Sequence, residues 1–180
     1  MNDITNPSSK ILEKASKIQL LAMDVDGILS DGKIIYNSYD VETKAFYVQD
    51  GVGIVALRQA GIILAIITGR SSPMVVRRAT ELGIHHVVQG RDDKYTALSA
   101  LADKLGLPLE ACAYMGDDLP DLKAIREAGL GISVPNGVLI VQEYADVITT
   151  SRGGEGAVRQ VCELILRAQN QYDAFIDRFL

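Results

Sequence analysis

The chain has 180 residues, a length that suits one domain with a full hydrophobic core. Hydrophobic residues make up 48% and charged ones 23%, and the net charge of −5 argues against a nucleic-acid partner, because phosphate backbones call for a basic face. No apolar run approaches the about 18 residues that a membrane span needs. The opening MNDITNPSSKILEK holds no long apolar segment, and Cys112 and Cys162 form no CxxC pair. The expectation is a cytoplasmic protein with no membrane partner, its thiols reduced and packed in the core.

In chain order, the first strand pattern is IQLLAMDV, ending in Asp24, Val25, Asp26 and Gly27. Directly after it, GKIIYNSYDVETKAFYV (Gly32–Val48) alternates apolar and polar residues on both sides of the turn-like NSYD, the pattern of a β-hairpin. A helix pattern over Val52–Ala60 leads to the strand IILAIIT, and a second over Pro73–Leu82 leads to HHVVQ. A third helix over Lys94–Leu105 precedes ACAYMG; a fourth over Leu119–Ala128 precedes GLGISV, with a short strand near ADVIT. These strands are near-continuous apolar runs, as expected where helices cover both faces of a parallel sheet. The reading is an α/β fold: one doubly wound, Rossmann-like domain over 1–180 with a small hairpin flap over about 32–48. A glycine-rich segment, SRGGEG, starts a C-terminal tail over about 151–180, whose helix and terminal aromatics are expected to dock on this chain or a neighbour.

Ligands of open parallel sheets gather at the carboxyl ends of the strands. Those ends carry Asp24 and Asp26, then Thr68, Gly69 and Arg70, then Lys94 opening a helix, then Asp117 with Asp118 and Asp121 as supporting acids. The set suggests phosphoryl transfer. Asp24 is the expected carboxylate nucleophile, and Asp26 the acid that protonates the leaving alkoxide and then activates water. A divalent ion held by Asp24, the Asp26 backbone carbonyl and Asp117 would neutralise the gathered charge, and oxygen ligands suit Mg2+. Thr68 and Lys94 would bind the transferring phosphoryl oxygens. Each feature alone also reads as a turn, a cap or a solvated charge; their occurrence in order, after separate strands, favours the chemistry.

DVDG, ITGR, Lys94 and GDDLPD together resemble the motifs of the haloacid dehalogenase superfamily of phosphatases, over roughly Leu20 to Val134. The resemblance implies a Rossmann-like core, magnesium and the two-aspartate mechanism, with the hairpin as a minimal cap. MDVDGILSDG, FYVQDGVGI, ITGRSSPMVVRRATELGI and RGGEGAVRQ extend the similarity to the branch acting on eight-carbon sugar-acid phosphates of the lipopolysaccharide pathway. That branch implies a homotetramer with active sites near subunit interfaces, a small-molecule sugar acid phosphate as substrate, and sugar-acid contacts from Tyr47, Val48, Gln49, Asp50, Gly51, Val55, Arg70 and Arg78. A nine-carbon sugar acid phosphate, or a binding module without turnover, are the alternatives. GVGIVA imitates a dinucleotide fingerprint, but no acid follows between Asp50 and Glu81, so that reading is rejected.

Overall fold

The computed structural model describes residues 4–39 and 41–180; residues 1–3 and Asp40, the last position of the NSYD turn, lie outside them. Helix α1 (Ser9–Ser16) leads into β1 (Leu20–Met23), followed by the short strands β2 (Ile35–Tyr36) and β3 (Glu42–Thr43). Then come α2 (Val48–Gln59), β4 (Ile63–Ile67), α3 (Pro73–Leu82), β5 (His86–Val88), α4 (Lys94–Leu105) and β6 (Cys112–Met115). A 3-10 turn (Leu119–Asp121), α5 (Leu122–Glu127), β7 (Leu130–Ser133), α6 (Leu139–Tyr144), β8 (Val147–Ile148), α7 (Ala157–Ala168) and α8 (Tyr172–Ile176) complete the order.

Six strands pair in parallel in the order β5-β4-β1-β6-β7-β8, while β2 and β3 form a separate antiparallel pair. Strand β1 is central, with Leu20 opposite both Ile63 and Cys112. Its side chains alternate between two cores: Leu21 and Met23 join residues of α1, α2, α3 and α7, and Leu20 and Ala22 join residues of α4, α5 and α6. Burial on both faces is why the strand reads as an unbroken apolar run rather than an alternating one. From β1 the chain builds outward to β4 and β5, then returns to β6 on the other side. The reversal opens a crevice beyond the carboxyl ends of β1 and β6.

Helices α3 and α4 keep the bounds expected from sequence, because their ends are written locally. Pro73 opens α3, Asp93 caps α4 by accepting from the Thr96 amide at 3.2 Å, and Gly83 and Gly106 close them in left-handed conformation. The fourth expected helix instead divides into the 3-10 turn and α5; Pro120 and the reciprocal Asp118–Asp121 cap hold that first turn tight. Helix α2 begins four residues earlier than its periodicity indicates, and α1, α6 and α8 are elements the sequence pattern did not reveal. In the tail, Phe175 is buried against the core while Phe179 and Leu180 stay exposed. No helix among the described residues is long and apolar enough to cross a membrane.

Candidate active site

The Asp24–Gly27 turn follows β1 without a break, the Asp24 amide donating to the Met115 carbonyl at 2.9 Å. Asp24 is 6% exposed and Lys94 4% exposed, so both charges are inside the protein. Lys94 Nζ stands 2.8 Å from Asp24 Oδ2 and 2.7 Å from Asp121 Oδ1. Asp121 is wholly buried and its oxygens are fully used: Oδ1 also accepts from the Tyr114 hydroxyl at 2.7 Å, and Oδ2 from the Asp117 and Asp118 amides at 3.2 Å each. This carboxylate therefore fixes the ammonium and the loop rather than offering itself to a ligand.

Asp24 Oδ1 and Asp117 Oδ1, by contrast, are buried with no hydrogen-bond partner among the described residues. Asp24, Asp117 and Asp121 present oxygens within 4.8 Å of one another. Burial, then the charge of Asp121, pushes Asp24 up to about 6 despite Lys94 pulling it down. Burial, then repulsion from Asp24 and Asp121, pushes Asp117 up to about 7. Burial opposes the charge on Lys94, yet Asp24 and Asp121 outweigh it and hold the ammonium above its usual range. Two orphaned oxygens in a crowded anionic pocket fit a hard divalent cation, and Asp24 and Asp117 are the side chains that could hold it.

The turn is shaped by close packing. A Cβ on Gly27, whose φ is +90°, would lie 2.0 Å from Asp117 Oδ2, and one on Gly153 would lie 1.7 Å from the Gly27 carbonyl oxygen. Asn136 bridges the same two glycines, donating to the Gly27 carbonyl at 3.1 Å and accepting from the Gly153 amide at 2.8 Å. The Gly154 amide donates to the Ile28 carbonyl at 2.9 Å. The glycine-rich segment is thus packed against the turn behind Asp24 and Asp26.

Thr68 is buried at the end of β4, its amide donating to the Val88 carbonyl at 2.9 Å. Next to it, Arg70 approaches Asp26 Oδ2 at 3.7 Å and Glu42 Oε2 at 3.3 Å. Lys44, just after β3, pairs with Asp26 Oδ1 and lies 3.2 Å from Glu42 Oε1. Neither Glu42 nor Lys44 was singled out by sequence; the only trace of them was the polar phase of the hairpin's alternation. The remaining expected contacts form a second cluster. Val48, Gly51, Val55 and Arg78 line a cavity of about 360 Å³ with Phe175 and Phe179, and the Arg78 guanidinium stands 6.0 Å from the Phe46 ring. Tyr47 and Gln49 are exposed beside it. The Asp50 side chain turns inward instead, accepting from the Arg159 amide at 2.7 Å at the start of α7.

A doubly wound parallel sheet that ends in a buried aspartate, a lysine and a cation-ready acidic pair defines a phosphohydrolase class. The chain belongs to the haloacid dehalogenase-like hydrolase family, whose profile matches residues 79–161. Among curated proteins it is 43% identical over 166 residues to the 3-deoxy-D-manno-octulosonate 8-phosphate phosphatase KdsC of Escherichia coli K12, covering 92% of this chain and 88% of that one. The crystal structure of 3-deoxy-D-manno-octulosonate 8-phosphate phosphatase from Moraxella catarrhalis, in complex with magnesium, phosphate and KDO, is similar with a TM-score of 0.94 and 68% identity, over 95% of this chain and 98% of that one. The cobalt-bound Haemophilus influenzae phosphatase is similar with a TM-score of 0.86 and 36% identity, over 90% and 95% of the two chains.

Proposed function

We propose that this protein is a magnesium-dependent phosphatase that hydrolyses 3-deoxy-D-manno-octulosonate 8-phosphate to the free sugar acid and inorganic phosphate. The observation that carries the chemistry is Asp24, buried at the end of the central strand with one oxygen on Lys94 and the other without a partner among the described residues. The relatives named above, similar over most of both chains, support the substrate. The lipopolysaccharide role implied by the family resemblance agrees with it.

In this reading Asp24 attacks phosphorus and the bond from phosphorus to the sugar oxygen breaks, leaving an aspartyl-phosphate. Asp26 gives its proton to the departing oxygen, then takes one from the water that attacks phosphorus and frees Asp24. Lys94, fixed by Asp121, and Thr68 hold the phosphoryl oxygens. Magnesium bound to Asp24, Asp117 and the Asp26 carbonyl supplies charge neutralisation. Asp118 and Asp121 shape the loop that presents Asp117. Arg70 and Gly69 flank the substrate from β4.

The cluster of Tyr47, Val48, Gln49, Gly51, Val55 and Arg78 contacts substrate as part of a homotetramer with active sites near subunit interfaces; Asp50 contributes there through its backbone. The chain acts as one domain in the cytoplasm. A phosphate-release screen over sugar phosphates, with Asp24→Asn as control, tests the reading. Selective release from the eight-carbon sugar acid phosphate, lost in Asp24→Asn, is expected. Release from none of the eight- or nine-carbon sugar acid phosphates would refute the substrate, and a fully active Asp24→Asn would refute the nucleophile.

A further inference from the structure

Four charges on three separate segments close a ring at the mouth of the site. Asp26 comes from the turn after β1, Arg70 follows β4, and Glu42 and Lys44 come from the return arm of the hairpin. Lys44 touches Asp26 Oδ1 and approaches Glu42, and Arg70 approaches Glu42 and Asp26 Oδ2. Tyr36, on the other hairpin strand, also lies beside Arg70. The Lys44 side chain is only 1% exposed, and its partners Asp26 and Glu42 are 21% and 16% exposed. An ordinary surface pair would leave its ammonium in water and contribute little. A lysine withdrawn from water and held between two carboxylates instead fixes the geometry of all three groups, because moving any one leaves buried charge uncompensated.

We propose that Lys44 and Glu42 are positioning residues for phosphoryl transfer, Lys44 acting through Asp26 and Glu42 through Lys44 and Arg70. The ring ties the flap to the ends of β1 and β4, so that docking of the hairpin and alignment of Asp26 with the leaving oxygen are one event. Ser30 adds a weaker restraint, its hydroxyl 3.4 Å from Asp26 Oδ1, and cannot replace a charged partner.

The proposal rests on the reading of Asp26 as the group that protonates the leaving alcohol. Its test measures kcat/KM, which covers steps only through departure of that alcohol, on two esters. One is an alkyl phosphate (the sugar acid phosphate, or whichever alkyl phosphate the wild type hydrolyses best). The other is 4-nitrophenyl phosphate, whose leaving group departs without a donated proton. Lys44→Met is expected to lose about 10²-fold on the alkyl ester, the usual cost of a misplaced catalytic group. Its loss on the nitrophenyl ester is expected to be roughly tenfold smaller. Lys44→Arg restores most of the difference, and Glu42→Gln shifts it in the same direction. In an Asp26→Asn background, Lys44→Met costs nothing further on the alkyl ester.

Equal losses on both esters, additive losses in the double variant, or wild-type behaviour of Lys44→Met would each overturn the proposal. If the wild type ignores the sugar acid phosphate but Lys44 and Asp26 remain coupled on another alkyl phosphate, the substrate reading falls and the ring stands. If Asp26→Asn impairs both esters equally, the role of Asp26 falls and takes this proposal with it.

Discussion

Gly27 and Asp117 occupy a single space: the Asp117 carboxylate lies where a side chain on Gly27 would begin, 2.0 Å from a Cβ built there. Neither the turn nor the carboxylate can keep its place if residue 27 gains even a methyl group. Gly27→Ala is therefore expected to lose about 10²-fold or more in phosphatase activity. It should also bind magnesium more weakly by calorimetry. Gly61→Ala is the matched control, since Gly61 also has a left-handed φ, +91°, but open space around it. That variant should cost about 1–2 kcal/mol in stability and leave magnesium binding intact.

Asp24→Asn should be inactive and yet, without metal, more stable than the wild type at pH 8. The carboxyls of Asp24 and Asp117 sit at about 6 and about 7, above their ordinary 3.8. The folded protein therefore holds protons that the unfolded chain has released across that window, and metal-free stability falls as pH rises from about 4 to 7. Removing one charge relieves the repulsion. Melting of metal-free Asp24→Asn should rise by about 2–4 °C for each kcal/mol relieved. Magnesium should raise its melting temperature less than it raises the wild type's. A lower melting temperature at pH 8 would contradict this account.

The same shifts predict that magnesium binding expels protons. At pH 6 the metal-free site keeps protons that a cation must displace, so affinity should weaken as pH drops through about 7 to 6. Calorimetry in buffers of different ionisation enthalpy reads the number released, which should fall towards zero by pH 9.

Asp118 and Asp121 face each other across one turn but should differ in cost. Asp121→Asn places an amide against donors from Lys94, Tyr114, Asp117 and Asp118, and breaking so buried a pair should cost about 3–5 kcal/mol. Asp118→Asn keeps an acceptor for the Leu119 amide at an exposed position and should cost less than about 1 kcal/mol by urea unfolding.

What was legible in the sequence follows from how far each signal reaches. The parallel strands showed themselves because burial on both faces demands continuous apolar residues, as in Leu20–Met23. Asp24, Thr68, Lys94 and Asp117 could be grouped because one topological rule brings strand ends together. Lys44 was hidden because its partner, Asp26, is 18 residues away, across a hairpin whose paired strands are only two residues each. Alternation over so short a strand does not tell which phase faces the site. Asp50 sits in a helix's first turn, where an acid is ordinary, and nothing local shows that it caps a different helix far along the chain.

The contact between Gly153 and Gly27 also sets an order of events. A ribosome delivers the turn that carries Asp24 and Asp26 early and the segment that braces it late, with most of the sheet made in between. Phosphatase activity should therefore switch on only when synthesis has passed residue 156, which makes turnover itself a reporter of completed folding.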